Sequence, residues 1–229
     1  MSSDQRQTIP FSTVLASTVH DMKNALSVIL TSLNDVTDKI KQVDPDNNKI
    51  SVLRYETSRV NGLMVQLLAL YKSEQNQLPL NINYHNVYDF LEELGLSYDD
   101  LLTSKNITVH IDVEEELEWT FDLDLMGMVI GNIITNAIRY TESSIVLKAQ
   151  IDNGMLQISV EDDGPGYPEV MLNEQQDIIL GVNQSTGSTG LGLYFAGQIA
   201  TIHNRDQLQG NIKLTNGQAG GGIFTIRIA

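Results

Sequence analysis

The chain has 229 residues, 41% hydrophobic and 19% charged, with a formal net charge of −15 and no cysteine. Such a composition belongs to a globular protein with enough length for one large domain or two modest ones. It excludes disulfide scaffolds, thiolate metal sites and cysteine nucleophiles, and its acidic field opposes phosphate backbones and anionic lipid.

In chain order, Met1–Pro10 is polar and lacks an apolar signal core. No apolar run approaches the roughly 18 residues that a membrane-spanning helix needs. The expectation is a cytoplasmic chain with no membrane insertion and no nucleic-acid partner, so that sensing falls to a separate sensor protein. From Phe11 to Lys41 the apolar residues, Leu15, Val19, Met22, Leu26, Ile29 and Leu33 among them, recur at alternating spacings of four and three. That is a heptad seam, and it predicts a helix packed lengthwise on partners. Pro45 and its Asp and Asn neighbours break the helix. A second seam follows through Ile50, Leu53, Thr57, Val60, Met64, Leu67 and Tyr71. Gly62 inside it costs about 1 kcal/mol against alanine and suggests close helix approach. One helical hairpin buries such seams poorly, whereas two form a four-helix bundle. The first domain, residues 1–77, is therefore expected to be an all-α hairpin that dimerises.

The pattern changes over residues 78–229. Extended segments are expected at Asn81–Val87, Ile107–Val113, around Trp119 and Phe121, at Ser144–Asp152 and Leu156–Glu161, with two more at the end joined near Gln218–Gly222. Helices are expected at Tyr88–Leu102, from Asp122 or Asp124 as cap to Arg139, and at Gly190–Ile202. Together they predict an α+β sandwich with helices over one face of a mixed sheet.

Three local patterns carry chemistry. On the second predicted helix, Asn132 and Asn136 stand one turn apart and share a face. Two amide oxygens can share a hard cation such as Mg2+, and Arg139 nearby can pair with phosphate. The same residues also fit the solvent face of an amphipathic helix. At a strand end, Asp162 precedes Gly164-Pro165-Gly166; the carboxylate can accept a hydrogen bond from an exocyclic amine such as that of adenine. The alternative is an ordinary turn. Finally, Gly187, Gly190, Leu191 and Gly192 open a helix, where free N–H groups and absent side chains admit an anion. Glycine-rich helix starts are common.

In order and spacing, these patterns resemble the ATP-binding domain shared by histidine kinases, gyrase, the Hsp90 chaperone and the MutL repair protein. The resemblance covers Leu80 to Ala229. It implies ATP as substrate, Mg2+ near Asn132 and Asn136, adenine on Asp162, and nucleotide loops shaped by Gly164, Gly166, Gly190 and Gly192. ATP-hydrolysing members place a glutamate base where this chain has Asn132. An amide cannot accept a proton near neutral pH, which points to the histidine kinases, where Asn-x-x-x-Asn is the pattern. Arg139-Tyr140 stands where those kinases often carry lysine and an aromatic residue.

Ser17-Thr18-Val19-His20-Asp21-Met22-Lys23-Asn24 then resembles the phosphoacceptor box of the histidine-kinase dimerisation hairpin. An imidazole is a nucleophile once one nitrogen is unprotonated. Asp21 can orient or deprotonate His20, and Asn24, one turn on, can place a water. The resemblance implies a homodimeric kinase that autophosphorylates His20 and passes the phosphoryl group to a response regulator receiver domain, with phosphatase activity on that regulator besides. Two other readings are a non-catalytic histidine phosphotransfer or scaffold dimer with a degenerate nucleotide domain, and an ATPase-type switch without a phosphoacceptor. Two departures stand out: no proline follows His20 closely, and the lid from Tyr167 to Gly187 has no phenylalanine. His85 and His110 are expected to be structural. His203 is expected to be a favourable cation at a helix C-terminus.

Overall fold

The chain divides into two units, Met1–Leu78 and Pro79–Ala229. The computed structural model describes residues 18, 21–22, 24–33, 48–75, 78–176, 191–218 and 220–229. The Pro45 turn lies outside them.

In the first unit, α1 (24–33) and α2 (Asn48–Glu74) are helical. The seam residues Met22, Ile29, Leu53 and Val60 are exposed, whereas Gln66, Ala69 and Leu70 are buried. A single copy of the chain thus leaves part of the heptad seam uncovered. The Thr57 hydroxyl is satisfied within the helix, donating to Leu53 O at 2.8 Å. Gly62 departs from expectation: a Cβ there would meet nothing within 4 Å. Close packing among the described residues therefore does not require it, and Gly62→Ala should raise helix stability by about 1 kcal/mol, read as a higher Tm.

The second unit begins with β1 (Ile82–Asn86), α3 (Val87–Leu96), α4 (Asp99–Ser104), β2 (Thr108–Asp112) and β3 (Glu118–Asp122). It continues through α5 (Leu123–Tyr140), β4 (Ser144–Asp152), β5 (Met155–Asp162) and α6 (Glu169–Asn173). It ends with α7 (Leu191–Ile202), β6 (Asn211–Asn216) and β7 (Gly222–Ile228). A five-stranded sheet runs β2-β4-β5-β7-β6. β2 is parallel to β4, and the remaining neighbours are antiparallel. Helices α5 and α7 pack on one another and on this sheet. Between them lie the fully buried Phe195, Phe224, Leu147, Ile158 and Ile226. Each such side chain contributes roughly 1.5–3 kcal/mol relative to exposure.

Two expectations are corrected here. β1 and β3 do not join the main sheet but pair with each other, Ile82 opposite Asp122. The Tyr88–Leu102 helix is two helices, because the chain turns at Ser97 and Tyr98, where the Ser97 hydroxyl donates to Leu94 O at 2.6 Å. The turn lays the Tyr98 phenol over Gly131 of α5, where a Cβ would lie 2.8 Å from the hydroxyl.

Between the two candidate caps of α5, Asp122 is the one used. Its Oδ1 accepts from Leu125 N–H at 3.0 Å and its Oδ2 from Asn81 N–H at 2.8 Å. His203 locks the same corner. Its Nε2 accepts from Asp122 N–H at 3.0 Å, and Nδ1 bonds Ile199 O at 2.8 Å. Accepting at Nε2 requires the neutral ring with its proton on Nδ1. Burial lowers its pKa, opposed by the Ile199 carbonyl and the Asp122 charge. The expected cation at a helix end is therefore a neutral crosslink between α7 and the start of α5. The unfolded chain then binds a proton that the folded one resists, so stability is full above about pH 6.5 and falls on acidification below it. Melting from pH 7.5 to 5 should show a steeper loss for the wild type than for His203→Gln.

Candidate functional site

Helix α5 is amphipathic, and its polar stripe is where the site forms. Met126, Ile130, Ile133, Ile134 and Ala137 are buried. Asn132 and Thr135 are half-buried, and Asn136 and Arg139 are exposed along the opposite side. The Thr135 hydroxyl donates to Asn132 O at 2.8 Å. Arg139 stands in the last turn, where a cation complements the helix dipole.

At the upstream end of this stripe the second residue of α7, Gly192, lies against Asn132. A Cβ on Gly192 would overlap the Asn132 amide nitrogen, while the Asn132 oxygen would be 3.6 Å away. The amide thus turns its nitrogen to the α7 backbone and its oxygen away. Two patterns distant in sequence, the Asn-bearing helix and the glycine-rich helix start, are in contact. Leu191 beside them is half-buried, and Gly187 and Gly190 lie outside the described residues.

At the downstream end, Asp162 closes β5. Its Oδ1 accepts from Gly164 N–H at 2.9 Å. A Cβ on Gly164 would collide with the carbonyl of Tyr140, the last residue of α5. Asn132 and Tyr140 are thus about 12 Å apart along the helix axis at 1.5 Å per residue. No donor among the described residues reaches Asp162 Oδ2. It faces Gly222, where a Cβ would lie 2.9 Å from it and 3.0 Å from the Tyr167 ring. Burial raises the Tyr167 phenol above its ordinary pKa, and the Asp162 charge adds to the effect.

Sequence reasoning passed over Asp163. It accepts from Glu142 N–H at 2.9 Å, Ser143 N–H at 3.0 Å, Ser144 N–H at 3.0 Å and the hydroxyls of Thr141, Ser143 and Ser144. Burial pushes its carboxyl up, but the bonds from Ser143, Thr141 and Ser144 outweigh it and hold the group well below the usual carboxylate range. Neighbouring carboxylates thus serve different ends: Asp162 accepts from Gly164, and Asp163 ties the turn from α5 to β4. The run of Thr141, Ser143 and Ser144 was a signal that could have found it. The β6–β7 turn does more than reverse the chain, because Gly221 packs on the Asp162 carbonyl so closely that a Cβ would overlap it.

No group of three or more His, Cys, Asp or Glu among the described residues could hold a metal ion. A divalent ion on the α5 stripe would take amide oxygen, phosphate and water, a set that suits Mg2+. In the other unit, Asp21 and Asn24 are exposed helical residues, and His20 lies outside the described residues. His85 is half-buried with its ring 5.1 Å from that of Phe121, and His110 is exposed on β2. No described helix is long and apolar enough to cross a membrane.

Residues 121–229 match the family described as histidine kinase-, DNA gyrase B-, and HSP90-like ATPase. Over 224 residues the chain is 26% identical to histidine kinase P4 of Formosa agariphila, covering 91% of this chain and 16% of that protein. Its fold is similar to that of the Acinetobacter baumannii histidine kinase AdeS, with a TM-score of 0.61 and 23% identity over 92% of this chain and 97% of that one. It is similar also to histidine kinase ThkA, solved in complex with response regulator protein TrrA, with a TM-score of 0.60 and 19% identity over 94% of this chain and 62% of that one. The chain spans between 14% and 53% of the length of the first curated relatives that it matches.

Proposed function

We propose that the chain carries the ATP-binding domain of a two-component histidine kinase and uses ATP to phosphorylate its own His20, a reading supported by the family match over residues 121–229 and by the similarity to histidine kinase P4. The observation that carries the reading is the contact of Asn132 with Gly192. It brings an amide-bearing helix face to a helix start whose N–H groups suit phosphate. Asp162, with one oxygen held by Gly164 and the other open, would receive the adenine amine. Asn132 and Asn136 would hold Mg2+, which neutralises phosphate charge when bound. Arg139 and Tyr140 would border the nucleotide, together with the loop bearing Gly164, Gly166, Gly187, Gly190, Leu191 and Gly192.

An unprotonated His20 nitrogen would form the N–P bond as the bond between the β- and γ-phosphates breaks and ADP leaves. Asp21 would take or share the imidazole proton. The phosphoryl group would then pass to an aspartate of a response regulator receiver domain, the partner class solved with ThkA. Asn24 would place a water against the regulator's phospho-aspartate, releasing inorganic phosphate in a phosphatase role. The exposed Met22, Ile29, Leu53 and Val60 support a homodimer whose paired hairpins form a four-helix bundle. A further sensor protein would supply the signal.

Two measurements test this reading. A fluorescent ATP analogue should bind at millimolar Mg2+, and no binding would sink the kinase reading in favour of the scaffold dimer. Incubation with γ-labelled ATP should label the wild type and leave His20→Ala unlabelled. Label on the variant would remove His20 as sole acceptor.

A further inference from the structure

Asn216 takes no part in the function proposed above, yet it makes an unusual connection. It ends β6, the outer strand of the five-stranded sheet. Its side-chain Oδ1 accepts from Tyr167 N–H at 2.7 Å, and its Nδ2 donates to Tyr167 O at 2.9 Å. One primary amide thus pairs both backbone groups of Tyr167, as a neighbouring strand would. Gly166, just before, adopts φ +77°, and a Cβ there would lie 2.8 Å from Asn216 Oδ1. Only glycine fits that left-handed, covered position.

A second amide works in the opposite direction. Gln175 Oε1 accepts from Leu214 N–H at 3.0 Å, and its Nε2 donates to Leu172 O at 2.9 Å. The segment after Asp162 is therefore stitched to β6 at two points, Leu214 and Asn216. An outer strand has backbone groups in need of partners, and Gln175 supplies one of them.

The consequence reaches Asp162. The Tyr167 ring and the open Oδ2 of Asp162 flank the same spot at Gly222, 3.0 and 2.9 Å from where a Cβ would stand. Moving Tyr167 changes the space in front of that oxygen. We propose that Asn216 is a positioning residue for nucleotide binding, holding Gly166 and Tyr167 so that the Asp162 carboxylate meets the base amine at a fixed geometry. This role rests on the nucleotide-site reading. Asn216 is itself exposed, so water replaces its bonds at small net cost to stability. Its loss should be read in affinity rather than in folding.

The test uses the full chain with Asn216→Ala and Asn216→Asp. The aspartate keeps an acceptor for Tyr167 N–H but sets a carboxylate against Tyr167 O. Asn216→Ala, which removes that acceptor, should exchange the Tyr167 amide hydrogen faster without nucleotide. Both variants should raise Kd for a fluorescent ATP analogue, and KM for ATP, by about fivefold, with kcat at saturating ATP within about twofold. Tm should move by no more than about 2 °C. Asn216→Asp covers the case in which the alanine variant fails to fold. Unchanged amide exchange in Asn216→Ala, or wild-type Kd in a folded variant, would overturn the role. A lowered Tm with unchanged Kd would also overturn it, leaving Asn216 structural only. A wild type that binds no analogue overturns the nucleotide site itself, a result distinct from wild-type binding that both variants share.

Discussion

Gly192→Ala is expected to lower affinity for Mg2+–ATP by about 10- to 100-fold while leaving the fold intact. The added Cβ would overlap the amide nitrogen of Asn132. That atom is the end of a side chain, so rotation relieves the clash without moving backbone. Alanine is moreover a better helix former than glycine, so Tm should hold. The cost falls on the direction of the Asn132 oxygen, which the Gly192 backbone now sets. Asn132→Ala should cost a similar factor by removing that oxygen. Because both changes act on one group, the double variant should be no worse than the poorer single one. Titration of an ATP analogue against all four proteins checks this. Multiplying losses would mean that Gly192 acts independently of Asn132.

Asp163→Ala is expected to cost about 3 kcal/mol of stability, the upper end of the range for hydrogen bonds to a charged acceptor, because this half-buried carboxylate collects six donors. The variant removes the acceptor shared by the N–H groups of Glu142, Ser143 and Ser144 and leaves the turn from α5 to β4 untied. At about 2–4 °C per kcal/mol for a chain of this size, Tm should fall by roughly 6–12 °C. The pH dependence follows from the depressed carboxyl. Its contribution is full above the unfolded value of about 4 and is lost as pH falls through the lower folded value. The difference between wild type and Asp163→Asn should therefore be flat from pH 5 to 8 and shrink only below about 4. A difference that changes between pH 6 and 8 would refute the assignment of the charge to this turn.

These two effects differ in how far the sequence announced them. Asn132, Asp162 and Gly192 were legible because each sits in a short local pattern whose chemistry can be read residue by residue. Asp163 was not, because nothing local distinguishes it from Asp162. Asp162 is the last residue of β5 and Asp163 the first beyond it, so the turn that begins there sends the two side chains to different elements. The final strands were legible too, but not the use of their connection. Asn216 reaches back to Tyr167, and Gly221 and Gly222 border Asp162, through contacts that cross the sheet. His203 failed in the same way: its position suggested a cation, and only burial against Asp122 made it neutral.

Periodicity by itself determined the helical first part, the order of most strands and helices beyond Leu80, and the face of α5 that carries Asn132, Asn136 and Arg139. Those are properties of hydrophobic spacing within one segment, where burial of one face decides the element. Only the tertiary structure decided that β1 and β3 pair apart from the main sheet, that Asn132 rests on Gly192, and that the Asp162 turn is held from β6. Each depends on atoms distant in sequence approaching within a few ångströms, and close packing accepts a glycine, a neutral ring or a bidentate amide there according to what stands opposite.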